Sequence, residues 1–427
     1  MTPVAVERVR AREVLSSRGR PTLSVAVRLT SGTEGVTSVP SGTTDGAGAC
    51  RQRRDGDERR YGGDGVLSVC RAIEEEIAPA LAGRVFACLA DLDDALTEID
   101  GTPDRARYGA NASLGVSQAF AVALSRHRRR PLHALLSEEA GVPPVLPRPF
   151  FNVLNGGKHA ANGLRMLEFM VVPTAAPTIG EAIRCGAEVY RALNDVLQRS
   201  GTASGLGFEG GFAPEVRTPE EALDLLVEAL STAGYTPSDE VAFAIDVEAD
   251  SIVDADGYDA GDGSLGTGEL IERYAALCAR YPLVSLEDPL ASADVAGLRN
   301  LTRLLGAHVQ LVGDAPLGTN AALIRQAAAA SLGNAALIKP NQAGTVTAAF
   351  DAVRAARSAG WGTLISHRSS DTCDSFLADF AVGCAAGQIK AGAPAGGEHV
   401  AKYNRLLEIG ESAPALPFPP LIQVLRG

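Results

Sequence analysis

The sequence lacks paired cysteines and long apolar runs. Its seven cysteines are scattered along the chain, at positions 50, 70, 88, 185, 278, 373 and 384. Their number is odd and none has Cys-x-x-Cys spacing, which argues against a disulfide framework or a zinc site and favours a reducing environment. No run approaches the roughly 20 apolar residues that cross a bilayer, and no signal peptide opens the chain. We therefore expect a cytoplasmic protein with no membrane partner.

An excess of positive charge is also absent. The chain has 39 Lys and Arg residues against 51 Asp and Glu residues, which gives a formal net charge of −12. Nucleic acids are bound mainly through basic surfaces that neutralise phosphates, so we expect no nucleic-acid partner. A basic run from Arg126 to Arg130 is better explained as the end of a helix, where cations complement the helix dipole.

What the sequence does contain is a series of short apolar segments that run directly into acids, at Asp246, Glu287 and Asp314. Such segments are typical of strands buried on both faces. In a parallel (β/α) barrel, the carboxyl ends of the strands form the catalytic rim. A single acid after a strand is usually a helix N-cap, but three in succession predict a shared site. Because all three ligands are oxygen, the site favours Mg²⁺ over Zn²⁺.

The same rhythm continues with basic residues. Further apolar segments end in Lys339, His367 and Lys390, and the intervals from Asp246 to Lys390 are 41, 27, 25, 28 and 23 residues. These intervals are close to the roughly 30 residues of one βα unit in a typical barrel. We therefore predict an α/β fold with a (β/α)8 barrel in which each of these strands places one functional side chain at the rim.

The N-terminal third has a different organisation. Residues 4–30 alternate in short strand-like runs, and residues 67–130 follow a helical pattern. Strands followed by helices, without alternation, predict a separate α+β domain. A proline-rich stretch at residues 141–149 suits a boundary. We expect an N-terminal α+β domain at residues 1–138 and a barrel domain at residues 139–427.

Several longer motifs occur in one order along nearly the whole chain, and in this order they resemble the enolase family. The matches are Asn155-Gly-Gly-Lys-His-Ala160, Met166-Leu-Glu-Phe169, Glu209-Gly-Gly-Phe-Ala-Pro214, Ser285-Leu-Glu-Asp-Pro289, Ile338-Lys-Pro-Asn-Gln342, Ser366-His-Arg-Ser369, Gln388-Ile-Lys-Ala-Gly-Ala-Pro394 and Lys402-Tyr-Asn-Arg-Leu-Leu407. The resemblance implies an enolase-type barrel whose early strands depart from regular βα alternation. It also implies at least a homodimer.

The resemblance further implies a role for each motif residue in eliminating water from a small anionic phosphorylated carboxylate. Metal binding is implied for Asp246, Glu287 and Asp314, with Mg²⁺ as cofactor. The catalytic residues would be Lys339 as base, Glu209 as general acid with Glu168 beside it, and His159 and His367 near the phosphoryl group. Substrate binding is implied for Lys390, Arg368, Ser369 and Thr44, the last through a second Mg²⁺. Lys158, which departs from the family pattern, is a further candidate for substrate binding because it adds a positive charge.

The chain departs from the enolase pattern around these residues. Phe208 and Ala315 stand where aspartates are expected, Lys158 replaces a small residue, and Leu167 replaces a glutamine. Asp45 adds one negative charge. The sum of these charge changes predicts a more cationic site, which would suit a ligand with more negative charge than 2-phosphoglycerate. Leu167 and Phe208 should also favour the protonated forms of Glu168 and Glu209.

Three hypotheses remain open. The first is a paralogue that acts on a carboxyphosphono analogue of 2-phosphoglycerate, similar to the carboxyphosphonoenolpyruvate synthases of phosphonate biosynthesis. The second is an ordinary glycolytic enolase that converts 2-phosphoglycerate to phosphoenolpyruvate. The third is a non-enzymatic enolase-like binding protein.

Overall fold

The computed structural model describes residues 3–42, 46–202 and 205–421. Its N-terminal part contains a sheet of four strands in the order β3-β2-β1-β4, with antiparallel neighbours. The strands are β1 (Val4–Leu15), β2 (Pro21–Leu29), β3 (Glu34–Ser38) and β4 (Val85–Phe86). The helices are α1 (Leu67–Ala72), which continues through a π-helical turn (Ile73–Ile77) into α2 (Ala78–Leu81), then α3 (Leu89–Asp100), α4 (Ala110–His127) and α5 (Leu132–Ala140).

Helix α4 packs closely on this sheet because two glycines remove side chains at the contact. A Cβ atom on Gly115 would lie 2.6 Å from Val25, and one on Gly35 would lie 2.2 Å from the carbonyl oxygen of Ala119. An antiparallel sheet with helices packed on it forms the expected α+β arrangement. Helix α5 runs across residues 138 and 139, and the division into residues 1–138 and 139–427 remains a prediction.

The rest of the chain forms a closed barrel of eight strands with helices between them. The barrel strands are β5 (Arg148–Asn155), β6 (Glu168–Pro173), β7 (Val241–Asp246), β11 (Leu283–Glu287), β12 (Gln310–Gly313), β13 (Ala335–Ile338), β14 (Gly362–Ser366) and β15 (Gly387–Lys390). Between β7 and β11, a separate small sheet contains β8 (Val253–Asp254), β9 (Gly257–Asp259) and β10 (Ser264–Leu265). The helices are α6 (Ile179–Ser200), α7 (Pro219–Ala233), α8 (Thr267–Arg280), α9 (Val295–Leu305), α10 (Ala321–Ala329), α11 (Pro340–Ala343), α12 (Val346–Ser358), α13 (Phe376–Gly383) and α14 (Gly397–Ser412).

Strand direction confirms both the barrel and its irregular beginning. Strand β6 is antiparallel to β5 and β7, whereas the other barrel pairs, β7–β11, β11–β12, β12–β13, β13–β14, β14–β15 and β15–β5, are parallel. Large side chains such as Phe150, Met170 and Leu337 fill one buried cluster, so the barrel is a packed core. Within the described ranges, no helix is both long and apolar enough to cross a membrane. All seven cysteines are free.

A buried acid joins the N-terminal helices to the barrel. Asp93 of α3 accepts hydrogen bonds from the backbone N–H of Thr347 at 2.9 Å and from its hydroxyl at 2.6 Å, at the start of α12. Burial raises the pKa of Asp93 from its ordinary 3.8 to about 6, although the hydrogen bonds from Thr347 and Ser117 oppose the shift. Because the folded state holds this proton more tightly than the unfolded state, stability falls as the pH rises through about 4 to 6.

We expect Asp93→Asn to stabilise the protein at neutral pH. Asparagine keeps a carbonyl oxygen for Thr347 but cannot ionise, so the variant avoids a cost of up to about 3 kcal/mol that the wild type incurs above pH 6. Urea unfolding at pH 4.5 and pH 7.5 measures this: the advantage of the variant should be larger at pH 7.5. Asp94→Asn, at an exposed position of the same helix, controls for the loss of a formal charge. An advantage that is the same at both pH values would contradict the assignment.

Candidate active site

The carboxyl ends of six parallel strands bring the predicted side chains to one rim. Asp246, Glu287 and Lys390 are the last residues of β7, β11 and β15. The residues that directly follow β12, β13 and β14 are Asp314, Lys339 and His367. A cavity of about 280 Å³ opens at this rim. The predicted site residues that line it are Lys158, His159, Glu168, Glu209, Asp246, Asp314, Lys339, His367, Arg368, Ser369 and Lys390.

Glu168 reaches the rim because its strand runs in the opposite direction. It is the first residue of β6, and the antiparallel pairing sets it opposite Asp246, the last residue of β7, and Asn155, the last residue of β5. The first residue of an antiparallel strand thus meets the last residues of its neighbours. With 1% of its surface exposed, Glu168 faces the interior rather than solvent.

Lys390 is enclosed by three carboxylates. Its Nζ lies 2.8 Å from Asp246 Oδ2, 2.9 Å from Glu287 Oε2 and 3.0 Å from Glu168 Oε2. Burial alone would lower the pKa of Lys390, but the charges of Asp246, Glu168 and Glu287 raise it well above its usual value. An ammonium group has three N–H donors, so Lys390 can donate to all three carboxyl groups, and its single positive charge offsets part of their negative charge.

A second lysine pairs with the third rim acid. Lys339 Nζ lies 2.5 Å from Asp314 Oδ2. Burial would raise the pKa of Asp314, but Lys339 lowers it. Behind Asp314, the carboxylate of Asp288 accepts hydrogen bonds from the backbone N–H groups of Asp314 and Ala315 at 2.8 and 2.9 Å. Asp288 therefore orients the Asp314 loop, a role that its motif position next to Glu287 did not reveal.

The rim acids fit a hard divalent cation in their chemistry. The ligand atoms they offer are all carboxylate oxygens. Two of these oxygens, Glu287 Oε1 and Asp314 Oδ1, are buried and have no hydrogen-bond partner among the described residues. Glu287 and Asp246 are directly paired in the sheet. A buried carboxylate oxygen without a partner is costly unless a cation or water satisfies it. The donor set therefore suits Mg²⁺.

A different set of residues has the closest spacing for a metal. Within the described ranges, one group of three His, Cys, Asp or Glu residues has its ligand atoms all within 4.8 Å of one another: His159, Glu168 and Glu209. Because this group contains a histidine beside two carboxyl groups, it suits proton transfer as well as metal binding.

Glu209 is held from several sides at the bottom of its loop. Its Oε2 lies 2.9 Å from His367 Nε2 and accepts a hydrogen bond from Asn152 Nδ2 at 3.3 Å. His159 Nδ1 lies 3.2 Å from Glu168 Oε1 and 3.9 Å from Glu209 Oε1. Two histidines and two acids thus form one buried cluster, in which His159 and His367 contact the acids Glu168 and Glu209.

The pKa values of the two acids in this cluster are shifted in opposite directions. Burial and the neighbouring Glu209 raise the pKa of Glu168. Burial would also raise the pKa of Glu209, but His367 and His159 lower it well below its usual value. The direction expected for Glu168 is therefore found, with burial and Glu209 as its causes, whereas the direction expected for Glu209 is wrong. Phe208 is 41% exposed, whereas Glu209 is buried.

The predicted phosphoryl-binding segment follows His367. Arg368 and Ser369 are buried and line the cavity. Arg368 Nη1 donates to Asn341 Oδ1 at 3.0 Å. Thr44, predicted as a ligand of a second Mg²⁺, and Asp45 lie outside the described residues.

The charge of Lys158 is neutralised within the protein. Its ammonium group forms an ion pair with Glu248, and Glu248 and Asp250 also line the cavity. Sequence reasoning missed these two acids, although they follow Asp246 within four residues. Of the three changes that predicted a cationic excess, each of one charge unit, the ion pair removes one: the charge of Lys158 is compensated by an acid of the same cavity.

Comparison with known proteins agrees with this geometry. The family model described as "Enolase, C-terminal TIM barrel domain" matches residues 143–415, and "Enolase, N-terminal domain" matches residues 6–136. The chain is 48% identical to "Enolase" of Acidothermus cellulolyticus over 95% of this chain and 94% of that protein. It is 46% identical to "Enolase" of Kineococcus radiotolerans with the same coverage, and 44% identical to "Enolase 1" of Methylococcus capsulatus over 95% of this chain and 96% of that protein.

Two family models that together span most of the chain, and relatives above 40% identity along its length, are sufficient for an assignment. The chain belongs to the enolase family and is a carbon–oxygen lyase of the phosphopyruvate hydratase type.

Proposed function

We propose that the protein dehydrates 2-phosphoglycerate to phosphoenolpyruvate, the ordinary enolase reaction. The observation that carries the proposal is that one cavity is lined by a candidate base, Lys339, by the acid pair Glu168 and Glu209, and by the buried cation Arg368. A proton α to a carboxylate is very weakly acidic, so its removal requires a positioned base and stabilisation of the charge that develops.

In this proposal the protein's own residues divide the reaction into two proton transfers. The amine of Lys339 removes the C2 proton, and Glu209 protonates the hydroxyl that leaves C3 as water. Because His367 and His159 favour the anion of Glu209, Glu168, whose pKa is raised, is placed to hold the proton that Glu209 delivers. Arg368 and Ser369 bind the phosphoryl group, where a planar guanidinium offers several donors.

Asp246, Glu287 and Asp314 would hold Mg²⁺, consistent with the general use of Mg²⁺ and a Lys or His base in this superfamily. When bound, the cation supplies charge stabilisation for the dianion that forms on removal of the C2 proton. Lys390, whose ammonium group contacts Asp246 and Glu287, is proposed to contribute positive charge to the carboxylate end of the substrate.

The structure and the relatives favour the glycolytic substrate over the phosphonate analogue. A carboxyphosphono ligand would be favoured by extra positive charge at the site, but Glu248 compensates the charge of Lys158. The three relatives named above are called enolases, and nothing in the comparisons supports phosphonate biosynthesis. The binding-protein hypothesis is set aside because Lys339, Glu168 and Glu209 are all present at the rim. Cytoplasmic location and a homodimer remain predictions.

A direct competition tests the substrate. We expect turnover of 2-phosphoglycerate with a kcat/KM of at least about 10⁵ M⁻¹s⁻¹, and turnover of a carboxyphosphono analogue about a hundredfold lower or less. Lys158→Ser and Ala315→Asp, which restore the family pattern, should leave the ratio within about threefold, because Lys158 is already neutralised. Preference for the analogue, together with a large shift of the ratio in Lys158→Ser, would reverse the assignment.

A further inference from the structure

The loop that carries Glu209 contacts a turn from the N-terminal sheet. Arg18 lies in the turn between β1 and β2, and its guanidinium carbon is 3.3 Å from the centroid of the Phe208 ring. This is stacking distance for a cation–π interaction. Among the described residues, the Arg18 guanidinium has no hydrogen bond and no ion pair, so the ring of Phe208 is its contact. Phe208 stands immediately before Glu209, where the enolase pattern has an aspartate.

The turn that carries Arg18 is fixed to the barrel. The hydroxyl of Ser16 lies 2.7 Å from the hydroxyl of Ser370, and the backbone N–H of Ser17 donates to the carbonyl of Asp371 at 2.8 Å. These contacts join the turn to the segment just after Arg368 and Ser369. Arg18 is therefore presented to the Glu209 loop from a fixed support.

Phe208 transmits this contact to the catalytic cluster. Its backbone N–H donates to the carbonyl of His159 at 3.0 Å, and its ring centroid lies 5.8 Å from that of His159. From below, Tyr190 donates to the carbonyl of Gly210 at 2.7 Å, and the N–H of Ala393 donates to the carbonyl of Glu209 at 3.0 Å. The loop thus has backbone hydrogen bonds on its inner side and Arg18 on its outer side.

We propose that Arg18 and Phe208 are a positioning pair that holds Glu209 against the departing hydroxyl group, with the aromatic ring in place of a carboxylate as the partner of Arg18. Neither residue lines the cavity, so both act through Glu209. This inference rests on the proposed dehydration, in which Lys339 removes the C2 proton and Glu209 acts only afterwards. Displacing Glu209 should therefore slow loss of the hydroxyl while C2 proton exchange with solvent continues.

The test compares variants at both partners by turnover of 2-phosphoglycerate and by exchange of its C2 proton. In Arg18→Met and in Phe208→Leu we expect kcat to fall between about threefold and tenfold with KM changed less than about twofold, and the ratio of exchange to turnover to rise by a similar factor. The double variant should be no worse than the poorer single variant. Phe208→Tyr, which keeps the stack, and Phe208→Asp, which offers Arg18 an ion pair, should stay within about twofold of wild type.

Two matched controls remove a similar side chain from the same segments. Arg20, in the same turn, is paired with Asp64 at 2.6 Å, and Leu206, on the same loop, is 60% exposed. Arg20→Met and Leu206→Ala should leave the exchange-to-turnover ratio at the wild-type value. The positioning role is wrong if Arg18→Met behaves like Arg20→Met. It is also wrong if kcat falls in Phe208→Tyr and Phe208→Asp as far as it does in Phe208→Leu.

Amide hydrogen exchange of residues 205–212 gives a readout that needs no substrate. Arg18→Met should increase exchange in this segment relative to Arg20→Met, because the outer support of the loop is lost. Unchanged exchange would overturn the pair whatever the substrate is. A wild-type protein inactive on 2-phosphoglycerate would instead refute the proposed function, and the exchange difference would still decide the role of Arg18.

Discussion

Neutralising any one of the three rim acids is expected to abolish Mg²⁺-dependent turnover while the fold persists. In Asp246→Asn, Glu287→Gln or Asp314→Asn, one anionic oxygen ligand is lost from a site that has three, and a hard cation then has too few charged ligands. Since the charge stabilisation involved is several kcal/mol, we expect kcat/KM to fall about a thousandfold or more. The alanine variants should behave alike.

Metal binding and stability separate this loss from unfolding. Calorimetric titration with Mg²⁺ should show a large loss of affinity in each variant, whereas urea unfolding without metal should show little loss of stability. The second expectation follows because Lys390 retains two carboxylate partners when either Asp246 or Glu287 is changed. Asp250→Asn is the control, since Asp250 lines the same cavity but is not a proposed ligand. Near-normal turnover in any of the three ligand variants would rule out the metal assignment.

Local sequence patterns predicted the site residues that lie at or directly after the ends of barrel strands. Apolar runs ending in Asp246, Glu287 and Lys390 became strands that end at those residues, because a buried parallel strand has a local signature and the barrel geometry sends each carboxyl end to the same rim. Asp314, Lys339 and His367 followed from the same rule. The motif resemblance then supplied Glu209, His159 and the segment at Arg368.

What the patterns did not predict depends on contacts between distant segments. Glu168 was compatible with a solvent-facing strand acid, because nothing local to Leu167-Glu168-Phe169 shows that β6 runs antiparallel to its neighbours. The pairing of Lys158 with Glu248 likewise joins two loops that are 90 residues apart. A charge count along the sequence treated Lys158 as a free cation, and the ion pair removes that contribution.

The contact of Arg18 with Phe208 is a further case. The two residues are 190 positions apart and belong to the β1–β2 turn and to a barrel loop. The sequence motif shows that phenylalanine replaces an aspartate at position 208, but not what that side chain contacts. The structure shows which residue that position contacts, and therefore why an aromatic ring can stand there without leaving Arg18 unpartnered.

The base and the acid should be separable by solvent exchange. Lys339→Ala is expected to lose both turnover and exchange of the C2 proton, since no other group is proposed to remove that proton. Glu209→Gln is expected to lose turnover by about a hundredfold or more yet retain measurable exchange, because proton removal precedes loss of the hydroxyl in a stepwise path. Glutamine fills the same space beside His367 and Asn152, so the loop should keep its position.

One complication lies in the ion pair between Lys339 and Asp314, 2.5 Å apart. Removing the lysine frees a proposed metal ligand as well as deleting the base, so a loss of activity alone would be ambiguous. Measuring Mg²⁺ affinity in Lys339→Ala resolves this: affinity should be retained or increased, because Asp314 loses a competing cation. Exchange of the C2 proton at the wild-type rate in the lysine variant, with Mg²⁺ still bound, would show that another group is the base. Loss of exchange in Glu209→Gln with intact Mg²⁺ binding would show instead that the acid pair acts in the first proton transfer.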